Sequence, residues 1–224
     1  MIEARLILVR HGETEWNREG RIQGYHADSP LTANGQTQAR LLAERMANER
    51  VRTLHSSDSG RARQTAKPIA AAVELEVLYD DALRERNYGI FEGRTYGEIE
   101  RDYPEDFRKF RSRDPRYCPP EGETVLQFRD RIVAALERVA SRAGGGCAAV
   151  VTHGGVLGIL YRHATGMPLD SQRTYTPHNA SVNRFAYDGT RWSLEVWGDV
   201  SHLHAESIGS VDKPKGGPGG GTLA

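Results

Sequence analysis

Leu6-Ile7-Leu8-Val9-Arg10-His11-Gly12-Glu13-Thr14 decides the reading of this chain: four consecutive apolar residues stop abruptly at an arginine, a histidine and a glycine. An apolar run of strand length closed by polar residues and glycine is the pattern of a strand buried on both faces in a parallel sheet. Ligands of open α/β sheets sit beyond the carboxyl ends of such strands. Arg10 and His11 are therefore expected to project into a site, a guanidinium suited to phosphate oxygens beside an imidazole able to act as base or nucleophile.

The same grammar returns downstream, where Ala148-Ala149-Val150-Val151-Thr152 runs into His153-Gly154-Gly155 and a helical stretch over 156–162. Between the two, Val51 to His55 reads as a third strand, and Arg61 falls in the first turn of the helix that follows Ser57-Asp58. A cation there opposes the helix dipole and calls for an anionic partner, which a carboxylate or a ligand would equally supply. A single histidine at a strand end is more often a structural hydrogen-bonder than a catalyst, so the weight rests on the conjunction.

Strands alternating with helices predict a largely parallel sheet covered on both faces. Thr32 is read as the N-cap of a helix to about Arg50, with Ala39, Leu42, Ala43 and Met46 on one face. A second helix over 61–73 is expected to kink at Pro68. Thr124 and Gln127 form a capping box ahead of Val125, Phe128, Ile132, Leu136 and Val139, and Gly144-Gly145-Gly146 ends that helix. A short apolar run covers Leu75 to Leu78. Ala180 to Tyr187 and Arg191 to Trp197, joined around Asp188-Gly189, predict a hairpin that makes one edge of the sheet antiparallel.

With 224 residues, the chain is expected to be one domain over 1–206 and a tail over 207–224, whose Gly/Pro-rich composition has almost nothing to bury and predicts disorder. Thirty Lys and Arg against thirty Asp and Glu give zero formal net charge, which argues against nucleic-acid or acidic-membrane partners. No stretch of about 18 apolar residues predicts a membrane span. Cys118 and Cys147 lack ligand spacing and fit a reducing, cytoplasmic setting. A homodimer is compatible with all of these features. His26, His178 and the His202/His204 pair show no spacing for a metal site, and no metal or other cofactor is expected.

Arg10-His11-Gly12-Glu13-Thr14 with Trp16-Asn17 and Gly20-Arg21-Ile22-Gln23-Gly24, then Ser57-Asp58 to Thr65-Ala66, Glu85 to Gly89 and Thr152-His153-Gly154-Gly155, resemble the histidine phosphatase superfamily, also called phosphoglycerate mutase-like. The resemblance spans about residues 4–204, and five ordered motifs make it specific. It implies a three-layer α/β/α sandwich with a mostly parallel sheet, antiparallel at one edge, and a small insertion over the active site. It further implies that His11 is the nucleophile that becomes phosphorylated, that Arg10, Arg61 and His153 hold the phosphoryl group, and that Glu85 is the proton donor. Asn17, Gln23, Gly24 and Gly154 match positions that meet the substrate. Two guanidiniums and an imidazolium can neutralise a phosphoryl group without a metal. Glu13, Glu15 and Glu92 are rivals to Glu85 on chemistry alone.

Residues 95–123 resemble the family's insertion over the pocket mouth, with Tyr96, Phe107, Arg108, Phe110, Arg111 and Arg113 as candidates to line it. The stretch from Glu85 to Glu123 is compact and balanced in charge, whereas mutases carry a longer, more basic segment there to hold a doubly phosphorylated intermediate. The expected function is hydrolysis of a small phosphorylated metabolite through a phosphohistidine. The alternatives are a cofactor-dependent phosphoglycerate mutase and an inactive member that only binds phosphorylated ligands.

Overall fold

The computed structural model describes residues 4–203. The apolar run forms β1 (Ala4–Arg10), the centre of a six-stranded sheet that also contains β2 (Val51–Ser56), β3 (Val77–Tyr79), β4 (Cys147–Thr152), β5 (Val182–Tyr187) and β6 (Trp192–Asp199). Their order is β3-β2-β4-β1-β5-β6. The first four are mutually parallel, and β5 and β6 pair antiparallel as the expected hairpin. Leu6 to Val9 are essentially inaccessible to solvent, as a strand flanked on both sides and covered on both faces requires.

The alternation of side chains along β1 divides the core. Leu6 and Leu8 join the helices α6 (Val125–Ala143) and α7 (Gly154–Thr165), while Ile7 and Val9 join α2 (Ala33–Met46) and α3 (Gly60–Val73) on the other face. This is the three-layer sandwich. A short α1 (Glu15–Glu19) lies between β1 and α2, and α4 (Tyr96–Asp102) and α5 (Pro104–Arg111) occupy the predicted insertion. Among the described residues no helix is long and apolar enough to cross a membrane.

Local signals match their elements closely. Thr32 caps α2 through Gly35 N, and the Thr124/Gln127 capping box opens α6, which ends at Gly144 in the left-handed conformation. Two boundaries differ. Helix α2 stops at Met46, four residues short of Arg50, because Asn48 and Glu49 bond back in turns that lead directly into β2. The Leu75–Leu78 run contributes only Val77 and Leu78 to β3. A continuous α3 runs through Pro68. The tail over 207–224 and His204 lie outside the described residues.

The turn after β1 is packed backbone to backbone against the start of α2. A Cβ at Gly35 would overlap the Glu13 carbonyl oxygen, whereas one at Gly97 in α4 would meet nothing within 4 Å. Gly35→Ala is therefore expected to cost about 1–3 kcal/mol of stability, while Gly97→Ala gains about 0.5 kcal/mol by restricting the unfolded chain. Urea unfolding of both variants checks this, and a neutral Gly35→Ala would contradict the close approach.

Candidate active site

In the β1–β4 ladder Arg10 pairs with Thr152, and His11 N donates to Thr152 O at 3.0 Å. The next residues, His11 and His153, are thereby set side by side, their ring centroids 5.3 Å apart. The chain after β1 leads to α2 on one face of the sheet, and the chain after β4 leads to α7 on the other. Adjacent parallel strands whose connections diverge open a crevice at their carboxyl ends, the place where α/β sheets take ligands.

His11 is buried, and its Nδ1 lies 2.8 Å from Gly12 O. A carbonyl can only accept, so Nδ1 carries the proton and Nε2 keeps its lone pair. Burial, then Arg61 and Arg10, hold the ring well below its ordinary value of 6.5. Gly12 N donates to Thr65 Oγ1 at 3.1 Å, and the same hydroxyl donates to Arg61 O at 2.9 Å, tying the histidine turn to α3.

Both arginines are almost wholly enclosed. Arg10 Nη1 donates to Pro177 O at 2.6 Å. Arg61 is gripped by a loop: Nη1 donates to Asp28 Oδ1 at 2.8 Å, Nη2 donates to Gly24 O at 3.0 Å, and Nε has no hydrogen-bond partner among the described residues. Asp28 also accepts from Arg61 N, so it answers the dipole problem of a first-turn arginine. His153 Nε2 lies 2.9 Å from Ser57 Oγ, while its buried Nδ1 finds no partner among the described residues. Burial, followed by Arg61, His11 and Arg10, also lowers His153 well below 6.5. The expected imidazolium is thus disfavoured by these surroundings, and only a nearby anion would restore it.

Glu85 is buried across from this group. Its Oε1 accepts from Arg86 N at 2.8 Å and its Oε2 from Gly155 N at 2.7 Å, so it caps α7 in place of His153, whose side chain makes no capping bond. Burial raises its pKa above 4.5, outweighing the two N–H bonds and the arginines that pull it down. A Cβ at Gly155 would overlap Glu85 Oε1, which accounts for the second glycine of the His153 motif. The rival glutamates are committed elsewhere: Glu13 accepts from Thr32 Oγ1, Glu15 pairs with Arg18, and Glu92 accepts from Tyr25, His26, Ala27 and Tyr88 N.

Asn17 is buried with its Oδ1 taken by Thr14 N and Asn179 Nδ2, which leaves its amide N–H₂ to give. Gln23 Oε1 is enclosed without a partner among the described residues. Gly24 packs so tightly on Glu92 that a side chain would overlap the carboxylate, and a Cβ at Gly154 would lie 3.4 Å from Arg10 Nε. Tyr96, Phe107 and Phe110 cluster with Tyr88 and Phe91, while Arg108, Arg111 and Arg113 are exposed. Asn179 and Asp28 are residues sequence reasoning passed over, and Ser57 and Thr65 are motif residues to which it gave no role. Asn179 also donates to His11 O at 3.0 Å. No spacing rule reaches from residue 179 back to 11; only the position of Asn179 just ahead of β5, the antiparallel neighbour of β1, brings it there. Among the described residues no three or more His, Cys, Asp or Glu gather into a metal-binding group.

The family model of the histidine phosphatase superfamily (branch 1) matches residues 6–200, and the chain belongs to that superfamily. It is 41% identical over 218 residues to phosphoglycerate mutase-like protein 4 of Arabidopsis thaliana, covering 96% of this chain and 92% of the relative. The structure of Bacillus stearothermophilus YhfR is similar at TM-score 0.82 and 35% identity, covering 89% of this chain and 98% of that one. The α-ribazole phosphatase of Shigella flexneri is similar at TM-score 0.79 and 27% identity, covering 87% and 96%.

Two buried neutral histidines make stability fall in acid. Below 6.5 the unfolded chain takes up protons that the folded rings refuse, so each ring removes up to about 1.4 kcal/mol per pH unit until its lowered folded pKa is reached. Glu85, with its folded pKa raised, works in the opposite direction above 4.5. Urea midpoints between about pH 7 and 5 should fall with acid, and a His11→Asn/His153→Asn double variant should flatten that slope. An unchanged slope would contradict the neutral, buried rings.

Proposed function

We propose that this protein is a phosphomonoester hydrolase that passes the phosphoryl group of a small phosphorylated metabolite through His11 to water. The observation that carries the reading is the pinned tautomer of His11: an unprotonated Nε2 lies among two enclosed guanidiniums and a second imidazole, near a carboxyl whose pKa burial raises. Nε2 attacks phosphorus, the bond from phosphorus to the ester oxygen breaks, and the Glu85 proton goes to the leaving oxygen. Water then attacks the phosphohistidine, Glu85 takes its proton, the P–N bond breaks, and phosphate and neutral His11 are released. Arg10, Arg61 and His153 hold the equatorial oxygens, and the dianion would draw a proton onto His153. Asn17, Gln23, Gly24 and Gly154 face the substrate, and no metal takes part.

Hydrolysis is favoured over mutase chemistry by how the nearby cations are occupied. Arg84 is held by both Asp58 carboxylate oxygens at 2.5 and 2.6 Å, and Arg86 donates to Glu123 O and Tyr117 O. In both, the Nε–Nη2 edge that would fork a second phosphate is already filled, whereas Arg61 Nε has no partner among the described residues. The mutase reading keeps the name of the Arabidopsis relative in its favour. The catalytic domain is taken to extend over 1–206, and two free cysteines suit a reducing, cytoplasmic setting.

His11→Ala should abolish formation of a phosphoenzyme that survives alkali and is lost in acid. Arg10→Lys and Arg61→Lys should each cost on the order of 10²-fold in kcat/KM, because the charge stays but the fork is lost. EDTA should leave turnover intact. Given 3-phosphoglycerate, the enzyme should release phosphate rather than form 2-phosphoglycerate; efficient isomerisation stimulated by 2,3-bisphosphoglycerate would overturn the hydrolase reading.

A further inference from the structure

Glu85 sits on a turn of irregular backbone, between a single 3₁₀ turn at Asp81–Leu83 and another at Gly89–Phe91. A proton donor must be held to within a fraction of an ångström of its acceptor, and such a turn cannot do that by its own hydrogen bonds. Besides Arg86 N and Gly155 N on the carboxyl group, the backbone carbonyls of the turn are held from α6. Arg131 Nη1 donates to Ala82 O and to Arg84 O, both at 3.0 Å, and its Nη2 donates to Glu85 O at 3.2 Å. The same guanidinium is paired with the Glu123 carboxylate, whose Oε1 also accepts from Asn87 N at 2.8 Å. One ion pair therefore grips the backbone at 82, 84, 85 and 87, on both sides of the acid, without touching the acid's carboxyl group.

The other face of that ion pair reaches the phosphoryl side. The Arg131 guanidinium lies 5.3 Å from the centre of the Tyr25 ring, and the Arg84 guanidinium lies 4.6 Å from the same ring. Tyr25 belongs to the loop whose carbonyls at Gly24 and Ala27, with Asp28, hold Arg61. That loop is fixed in turn by Glu92 through three consecutive N–H groups. Arg131 thus contacts, from α6, both the turn carrying Glu85 and the loop gripping Arg61.

We infer that Arg131 is a positioning residue for proton transfer: braced by Glu123 and packed on Tyr25, it sets the Glu85 turn relative to the arginine that holds the phosphoryl group. The inference rests on the assignment of Glu85 as proton donor. A planar fork is needed, because three carbonyls and a carboxylate at these angles exceed what an ammonium can reach. Loss of the fork would leave the phosphoryl pocket intact and let the acid drift.

The test is kcat/KM over a series of phosphate esters, from p-nitrophenyl phosphate, whose departure needs little protonation, to simple alkyl phosphates. Glu85→Gln should lose activity steeply toward the alkyl esters. Arg131→Lys should follow the same trend more weakly, about tenfold on alkyl esters and within about twofold on p-nitrophenyl phosphate, and should add nothing in the Glu85→Gln background. Glu123→Gln, which keeps an acceptor for Asn87 N but removes the charge opposite Arg131, should show the same trend and serves if Arg131→Lys does not fold. If Glu85→Gln shows the trend and both brace variants lose activity uniformly or not at all, the positioning role is overturned. If Glu85→Gln itself lacks the trend, the proton-donor assignment falls first, and Arg131 has no proton transfer to position.

Discussion

The parallel pairing of β1 with β4, in the register that sets Arg10 against Thr152, is the constraint on which the rest of the site depends. It brings two strand-end histidines from positions 11 and 153 into ring contact, and it does so with backbone hydrogen bonds that no side chain can adjust. A slip of one residue would send Leu6 and Leu8 to the wrong face and separate the rings, so the hydrophobic pattern of β1 and the chemistry at its end are specified together. The divergence of the following helices to opposite faces then opens the crevice that the rings enter.

Within that crevice the electrostatics are arranged against charge on the imidazoles. Nearly complete burial and two guanidiniums keep His11 and His153 neutral, while burial raises the pKa of Glu85 and so favours its protonated form. A nucleophile with a free lone pair and an acid with a proton to give are the two states that the proposed first step consumes. The arginines hold their places through groups outside the reaction: Pro177 O for Arg10, and Asp28 with the Gly24 and Ala27 carbonyls for Arg61. For the proposed reaction this is preorganisation, with donors already fixed before charge develops on the phosphoryl oxygens.

The strands and long helices were legible because each carries a periodic or continuous apolar signal with its own cap, as Thr32, Thr124 and Gly144 show. Arg10, His11, Arg61 and His153 were legible as a set because they fall at strand ends or first helical turns, where local sequence fixes position. Glu85 was harder to single out from Glu13, Glu15 and Glu92, since four carboxylates close to the same motifs differ only in what surrounds them. Burial separates Glu85 from Glu15 and Glu92 but not from Glu13, and the Gly155 N–H separates it from all three; both are tertiary facts. Asn179, Asp28 and Arg131 act across 168, 33 and 46 residues respectively, distances over which no spacing rule operates.

The claim that most of this rests on is the tautomer of His11, with Nδ1–H held by Gly12 O and Nε2 free to attack. Nitrogen-15 labelling of histidine with phosphorus NMR of the alkali-trapped phosphoenzyme reads it directly, through the one-bond coupling between phosphorus and the ring nitrogen that bears it. The account predicts phosphorus on Nε2 of His11. Phosphorus on Nδ1, or on His153, would contradict it.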